Sequence, residues 1–183
     1  MPTDDDRDME PGTAHDPRAA LLRLYDPALP QVYGYLLRRC GRREVAEELT
    51  SETFLAAADA VRRPHPPPLD IGWLIGVARH KLADHWRRQA REQRNLHAVA
   101  SEPAATTDDP WDARLDALHA EQTLAALAPQ HRLVLTLRYM DDLPVPKVAE
   151  LVGRSVHATE GLLVRARRAF RDQYESGEGD HDA

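Results

Sequence analysis

Between Pro146 and Arg168 the sequence sets two amphipathic segments on either side of Gly153. That arrangement limits this stretch to two short helices crossing at a tight turn. Ala149 is small where the two helices must approach, and Gly153, four residues on, suits the positive φ of the turn. Ser155 is a natural N-cap for the helix that follows. On that helix Thr159, Leu163, Ala166, Phe170 and Tyr174 recur at helical spacing, whereas His157, Gly161, Val164, Arg165, Arg168 and Arg171 fall on the other side. A stripe fit for burial, backed by an arginine-bearing face, is what a helix needs to dock in a DNA major groove. The segment predicts a helix-turn-helix, with Ala149, Gly153, Leu163 and Ala166 in packing roles.

Total charge argues against DNA until it is divided along the chain. The 183 residues carry 24 Lys+Arg and 30 Asp+Glu, a net −6. Residues 62–94, however, hold eight basic side chains against three acids, and residues 122–171 hold eight against four. Acidic stretches flank and separate these blocks: six acids against one arginine in both 1–16 and 95–121, and five acids with no base in 172–183. Fields are screened within about 8–10 Å at physiological salt, so local sign matters more to a phosphate backbone than the total. Two contact surfaces on one chain are expected, joined and terminated by acidic segments.

The remaining pattern is helical throughout, and an all-α fold of two small domains follows. Helical spacing from Asp16 to Arg39 is marked by an expected interruption at Pro27 and Pro30. A second helix is predicted over Arg43–Val61, with Val45, Leu49, Phe54, Leu55, Ala58 and Val61 as core candidates. Pro64, Pro66, Pro67 and Pro68 make a stiff loop before a third helix over about Asp70–Arg94. On that helix Ile71, Ile75, Ala78, Leu82 and Trp86 form one stripe and His80, Asp84, Arg87, Arg88 and Arg91 the other face, with Arg79 and Lys81 at the flanks. Arginines with Trp73 and Trp86 nearby suit single-strand capture, in which bases stack and phosphates are held. Helical pattern resumes near Leu115 and is broken at Pro129 and Pro144. The expected boundaries are a disordered acidic start (1–16), a first domain (17–95), an acidic flexible linker (96–116), a second domain (117–174) and an acidic tail (175–183).

Other chemistry finds little support. The lone Cys40 excludes an intrachain disulfide and reads as a small buried side chain. His80, Asp84 and His85 lie close on one helix without the further ligands a metal site needs. No phosphate-binding glycine loop, catalytic triad or paired-carboxylate site stands out. No cofactor, metal or catalytic residue is expected. No apolar run reaches the roughly 20 residues that span a bilayer, so membrane insertion is not expected and a soluble cytoplasmic protein is.

With these segments in order, residues 17–174 resemble the sigma-70 family of bacterial RNA polymerase sigma factors, in its two-domain extracytoplasmic-function (ECF) group. Three motifs carry the resemblance: Glu44 to Phe54, Trp73 to Arg88, and Leu127 to Tyr139 followed by the helix-turn-helix. The resemblance implies a non-enzymatic factor that binds core polymerase and helps open promoters. Its implied polymerase contacts are Glu47, Glu48, Glu52 and Phe54. Its implied −10 contacts are Arg79, His80, Asp84, Arg87, Arg88 and Arg91. For the −35 element they are Ser155, His157, Glu160, Gly161, Val164, Arg165, Arg167 and Arg168. Implied partners are the clamp coiled coil and flap of core polymerase, promoter DNA and an anti-sigma factor. The loop 61–70 takes the place where the family captures a flipped base, although its prolines depart from the family's usual sequence. A helix-turn-helix regulator that acts without polymerase is the alternative, and it leaves the acidic helix and the 62–94 basic block without a role.

Overall fold

The computed structural model describes residues 16–96 and 117–178, and all regular structure among them is helical. The elements are α1 (Pro17–Cys40), α2 (Arg43–Ala60), α3 (Ile71–Leu96), α4 (Ala117–Ala126), α5 (Pro129–Leu135), a π-helical turn (Thr136–Met140), α6 (Val145–Val152) and α7 (Val156–Glu178). The all-α expectation holds. Expectations for the N-terminus, for the linker and for the last five residues lie outside the described residues.

Helix α1 corrects the expected interruption. It runs unbroken through Pro27 and Pro30, starting from Asp16, whose carboxylate accepts from Arg18 N at 3.0 Å, with Pro17 in the first turn. Each internal proline removes one backbone hydrogen bond and disfavours a helix by about 3 kcal/mol. Packing outweighs that cost: Ala28, Val32 and Leu36 are wholly buried against α2 and α3. Gly41, at φ 65°, ends the helix by donating to Leu37 O at 2.9 Å.

In α2 the buried line is Val45, Ala46, Leu49, Thr53 and Ala57, whereas Leu55, expected in the core, is 65% exposed. Thr50 and Thr53 reach the interior because each hydroxyl donates to the carbonyl one turn back, Ala46 O at 2.6 Å and Leu49 O at 2.7 Å. Asp70 caps α3 through Trp73 N at 2.6 Å. Its core line is Leu74, Ala78, Leu82 and Trp86, and Ile71 and Ile75 are only half-buried.

The second half is built on α7, which packs against α4, α5 and α6. Thr159, Leu163, Ala166 and Phe170 are buried as the spacing requires, and Leu162 joins them. The helix continues past the expected end at 174 to Glu178. One apolar cluster runs through both halves, because α5 and α6 lie against α3.

Candidate nucleic-acid and polymerase interfaces

The helix-turn-helix forms where the sequence placed it. Helix α6 stops at Gly153, at φ 67° and ψ 41°, and Ser155 Oγ accepts from Ala158 N at 3.2 Å to start α7. With Ala149, Leu163 and Ala166 buried, α7 turns His157, Glu160, Gly161, Val164, Arg165 and Arg168 outward to varying degrees. His157 is fully exposed, 3.9 Å from the Glu160 carboxylate. Arg165 folds back over Gly161, where an added Cβ would lie 3.6 Å from its Nη1. Arg167 donates to the Tyr139 hydroxyl at 3.5 Å, and Arg168 sits 3.9 Å from Asp172.

Helix α3 presents His80, Asp84, Arg88 and Arg91 to solvent, with Arg87 half-buried and ion-paired to Asp84. Arg79 differs. Its Nε donates to Asp141, from beyond the π turn, at 3.0 Å. Arg87, Arg91 and Arg94 line a cleft of about 430 Å³ with Arg154, which follows the helix-turn-helix glycine. An added Cβ on Gly153 would lie 3.3 Å from Arg87 Nη1, so the turn of the helix-turn-helix abuts the arginine face of α3. Among the described residues, Trp86 Nε1 and Arg87 Nε are buried without a hydrogen-bond partner.

The acidic face of α2 is exposed at Glu47 and Glu48. Glu47 pairs with Arg43 at 2.8 Å, and half-buried Glu52 pairs with Lys81 of α3 at 3.2 Å. Phe54 is half-buried and packs its ring against Tyr25, centroids 4.8 Å apart. A shallow groove lined by Leu29, Pro30 and Tyr33 adjoins Glu47. Acidic side chains beside apolar surface suit a partner that offers both basic and apolar groups. Leu55, a core candidate by its spacing, is exposed instead and adds apolar surface to this face.

Behind these surfaces burial disfavours the charged forms of His85 and Cys40. Burial lowers the His85 pKa, and its Nε2 has no hydrogen-bond partner among the described residues. Burial pushes the Cys40 thiol up to about 11, with the side chain 1% exposed. No group of three or more metal-ligating side chains occurs among the described residues, and no described helix is long and apolar enough to cross a membrane.

A helix-turn-helix and a separate arginine-faced helix on one all-α chain define a bipartite helical DNA-binding protein. Residues 24–92 match the model of Sigma-70 region 2 and residues 119–170 that of Sigma-70 region 4. The chain belongs to the sigma-70 family, in the ECF group of RNA polymerase sigma factors. It is 33% identical over 152 residues to the ECF RNA polymerase sigma factor BldN of Streptomyces coelicolor, covering 81% of this chain and 58% of that protein. It is 31% identical over 162 residues to the ECF RNA polymerase sigma factor SigL of Mycobacterium tuberculosis, covering 84% of this chain and 88% of the relative. The sigma factor RpoE, solved with the anti-sigma factor NepR from Bartonella quintana, shares the fold. It shows 17% identity and a TM-score of 0.51 over 85% of this chain and 97% of that one.

Proposed function

We propose that this protein is an alternative sigma factor that joins core RNA polymerase and directs it to a specific set of promoters. The observation that carries this is the pairing of an exposed acidic α2 face with two helices, α3 and α7, that turn arginine-bearing faces outward. Glu47, Glu48, Glu52 and Phe54 meet the polymerase clamp through charge-assisted bonds and apolar contact. His80, Asp84, Arg87, Arg88 and Arg91, joined by Arg79, hold the −10 strand. Ser155, His157, Glu160, Gly161, Val164 and Arg165 face the −35 groove, where Arg165 suits guanine and Glu160 suits cytosine N4, while Arg167 and Arg168 approach phosphates. Residues 17–95 and 117–174 form the two working domains.

Its action is binding and strand separation in the cytoplasm, without catalysis of its own. An anti-sigma factor that covers the polymerase-binding surfaces fits the ECF group and a separable pair of domains. A binding assay with purified core polymerase tests the clamp contact. Wild type is expected to form a stable complex, and Glu48→Arg, an exposed charge reversal that spares the fold, is expected to lose it. Equal affinities for the two proteins would refute the assignment of α2.

A further inference from the structure

Asp141 lies between the π turn and α6, and its side chain is 1% exposed. Its Oδ1 accepts from Arg39 Nε at 2.8 Å and Arg39 Nη2 at 2.5 Å. Its Oδ2 accepts from the Tyr35 hydroxyl at 2.8 Å and Arg79 Nε at 3.0 Å. All four donors come from the first half of the chain, 62 to 106 residues away in sequence. Arg39 is fixed from its own side as well, stacked 3.7 Å over the Tyr35 ring and donating to Tyr35 O at 3.1 Å. A second strut lies alongside: buried Arg132 of α5 donates to Arg39 O at 2.8 Å and stacks 4.7 Å over Trp86.

The backbone around Asp141 departs from regular geometry on both sides. The π turn ends with Asp141 N bonded to Thr136 O at 3.1 Å. Asp142 then adopts φ 49°, the only positive φ outside glycine among the described residues. A π turn and a left-handed non-glycine residue each carry a local cost and recur where a side chain must be aimed. Here they aim one carboxylate into the other half of the molecule.

We propose that Asp141 is an intramolecular latch: the second half of the chain docks on the first through this carboxylate, which occupies Arg79 and sets the helix-turn-helix turn against Arg87. The partner that this surface fits is therefore the other half of the same chain. In the docked form Arg79 Nε is engaged by Asp141 instead of a phosphate, and the turn of the helix-turn-helix faces the arginine side of α3 across the cleft instead of lying open to a duplex. Four arginines and no acid line that cleft, so the neighbouring carboxylate supplies countercharge there, beside the apolar contact that joins the halves. A buried ion pair of this kind contributes little net stability against its desolvation, yet breaking it by removing one partner is strongly unfavourable. Such a contact specifies one arrangement while remaining releasable to a competitor that brings its own anion or its own apolar surface. The consequence for DNA rests on the sigma-factor reading, whereas the docking itself does not.

Small-angle scattering of the full-length protein, without polymerase or DNA, tests the docking separately from that reading. Wild type is expected near the radius of gyration of a compact chain of this length, about 16 Å. Asp141→Ala is expected to raise the radius by about 5 Å or more, as two compact halves separate. Arg39→Gln, on the opposite side of the contact, is expected to do the same, with helix content by circular dichroism unchanged in both. Variants that scatter like the wild type, or a wild type already as extended as the variants, would overturn the latch. If Asp141→Ala loses helix content, Arg39→Gln decides the question alone.

Discussion

The two glycines Gly76 and Gly153 predict opposite responses to one substitution. Gly76 lies inside α3, where an added Cβ meets nothing within 4 Å. Alanine there restricts the unfolded chain and improves helix propensity, a gain of about 0.4–1 kcal/mol. Gly153 holds φ 67°, where an L side chain costs about 1–2 kcal/mol. The added Cβ would also sit 3.3 Å from Arg87 Nη1, the movable end of a long side chain, so the steric part is minor. After the unfolded-state gain is subtracted, Gly153→Ala destabilises by about 0.5–1.5 kcal/mol. At about 2–4 °C per kcal/mol for a chain of this size, the two variants diverge in Tm by about 2–10 °C. Calorimetry with parallel urea titrations measures the difference. Shifts of the same sign in both variants, or a stabilised Gly153→Ala, would show that the turn does not depend on the left-handed residue.

Three further outcomes follow from the site geometry. Because the half-buried His85 has a pKa held below its ordinary value, its stabilising effect is complete above about pH 6.5 and is lost as pH falls through the folded-state value. His85→Gln should therefore flatten the acid limb of the stability profile, by at most about 1.4 kcal/mol per pH unit, and an unchanged limb in urea titrations across pH 5–7 would count against it. Cys40 should react with a thiol reagent about a hundredfold or more slowly in the folded protein than in urea at pH 8, since burial both shields it and raises its pKa to about 11. Comparable rates would contradict its burial. Arg88 is exposed on the α3 face, and Arg88→Ala should lower the salt slope of promoter binding by about 1; an unchanged slope in salt titrations would remove Arg88 from the phosphate contacts.

Legibility in the sequence depended on the range of the interactions involved. The helix-turn-helix could be read because its determinants are local: Gly153 needs a positive φ, Ser155 caps its own helix, and Thr159, Leu163, Ala166 and Phe170 share a period. Regions dominated by competition between propensity and packing were less legible. Pro27 and Pro30 signalled a break, yet Ala28, Val32 and Leu36 bury enough surface to carry α1 through. Thr50 and Thr53 looked polar, but each satisfies its hydroxyl on its own helix and enters the core, while Leu55 takes the outward position. The charged candidates on α3 divide for a reason that no helical wheel contains. Arg88 and Arg91 remain outward, but Arg79 meets a carboxylate 62 residues further along. Only tertiary structure brings Asp141 to Tyr35, Arg39 and Arg79, and nothing in the local sequence marks that aspartate apart from Asp142 beside it.

Promoter-specific transcription in vitro, reconstituted from purified core polymerase, this protein and genomic promoter fragments, separates a sigma factor from a regulator that works alone. Discrete transcripts are expected that require the protein, that disappear with Glu48→Arg, and that fall with Arg165→Ala at a subset of promoters. Duplex DNA bound by the protein, with no transcript and no association with core, would contradict the sigma-factor reading and leave a DNA-binding regulator independent of polymerase.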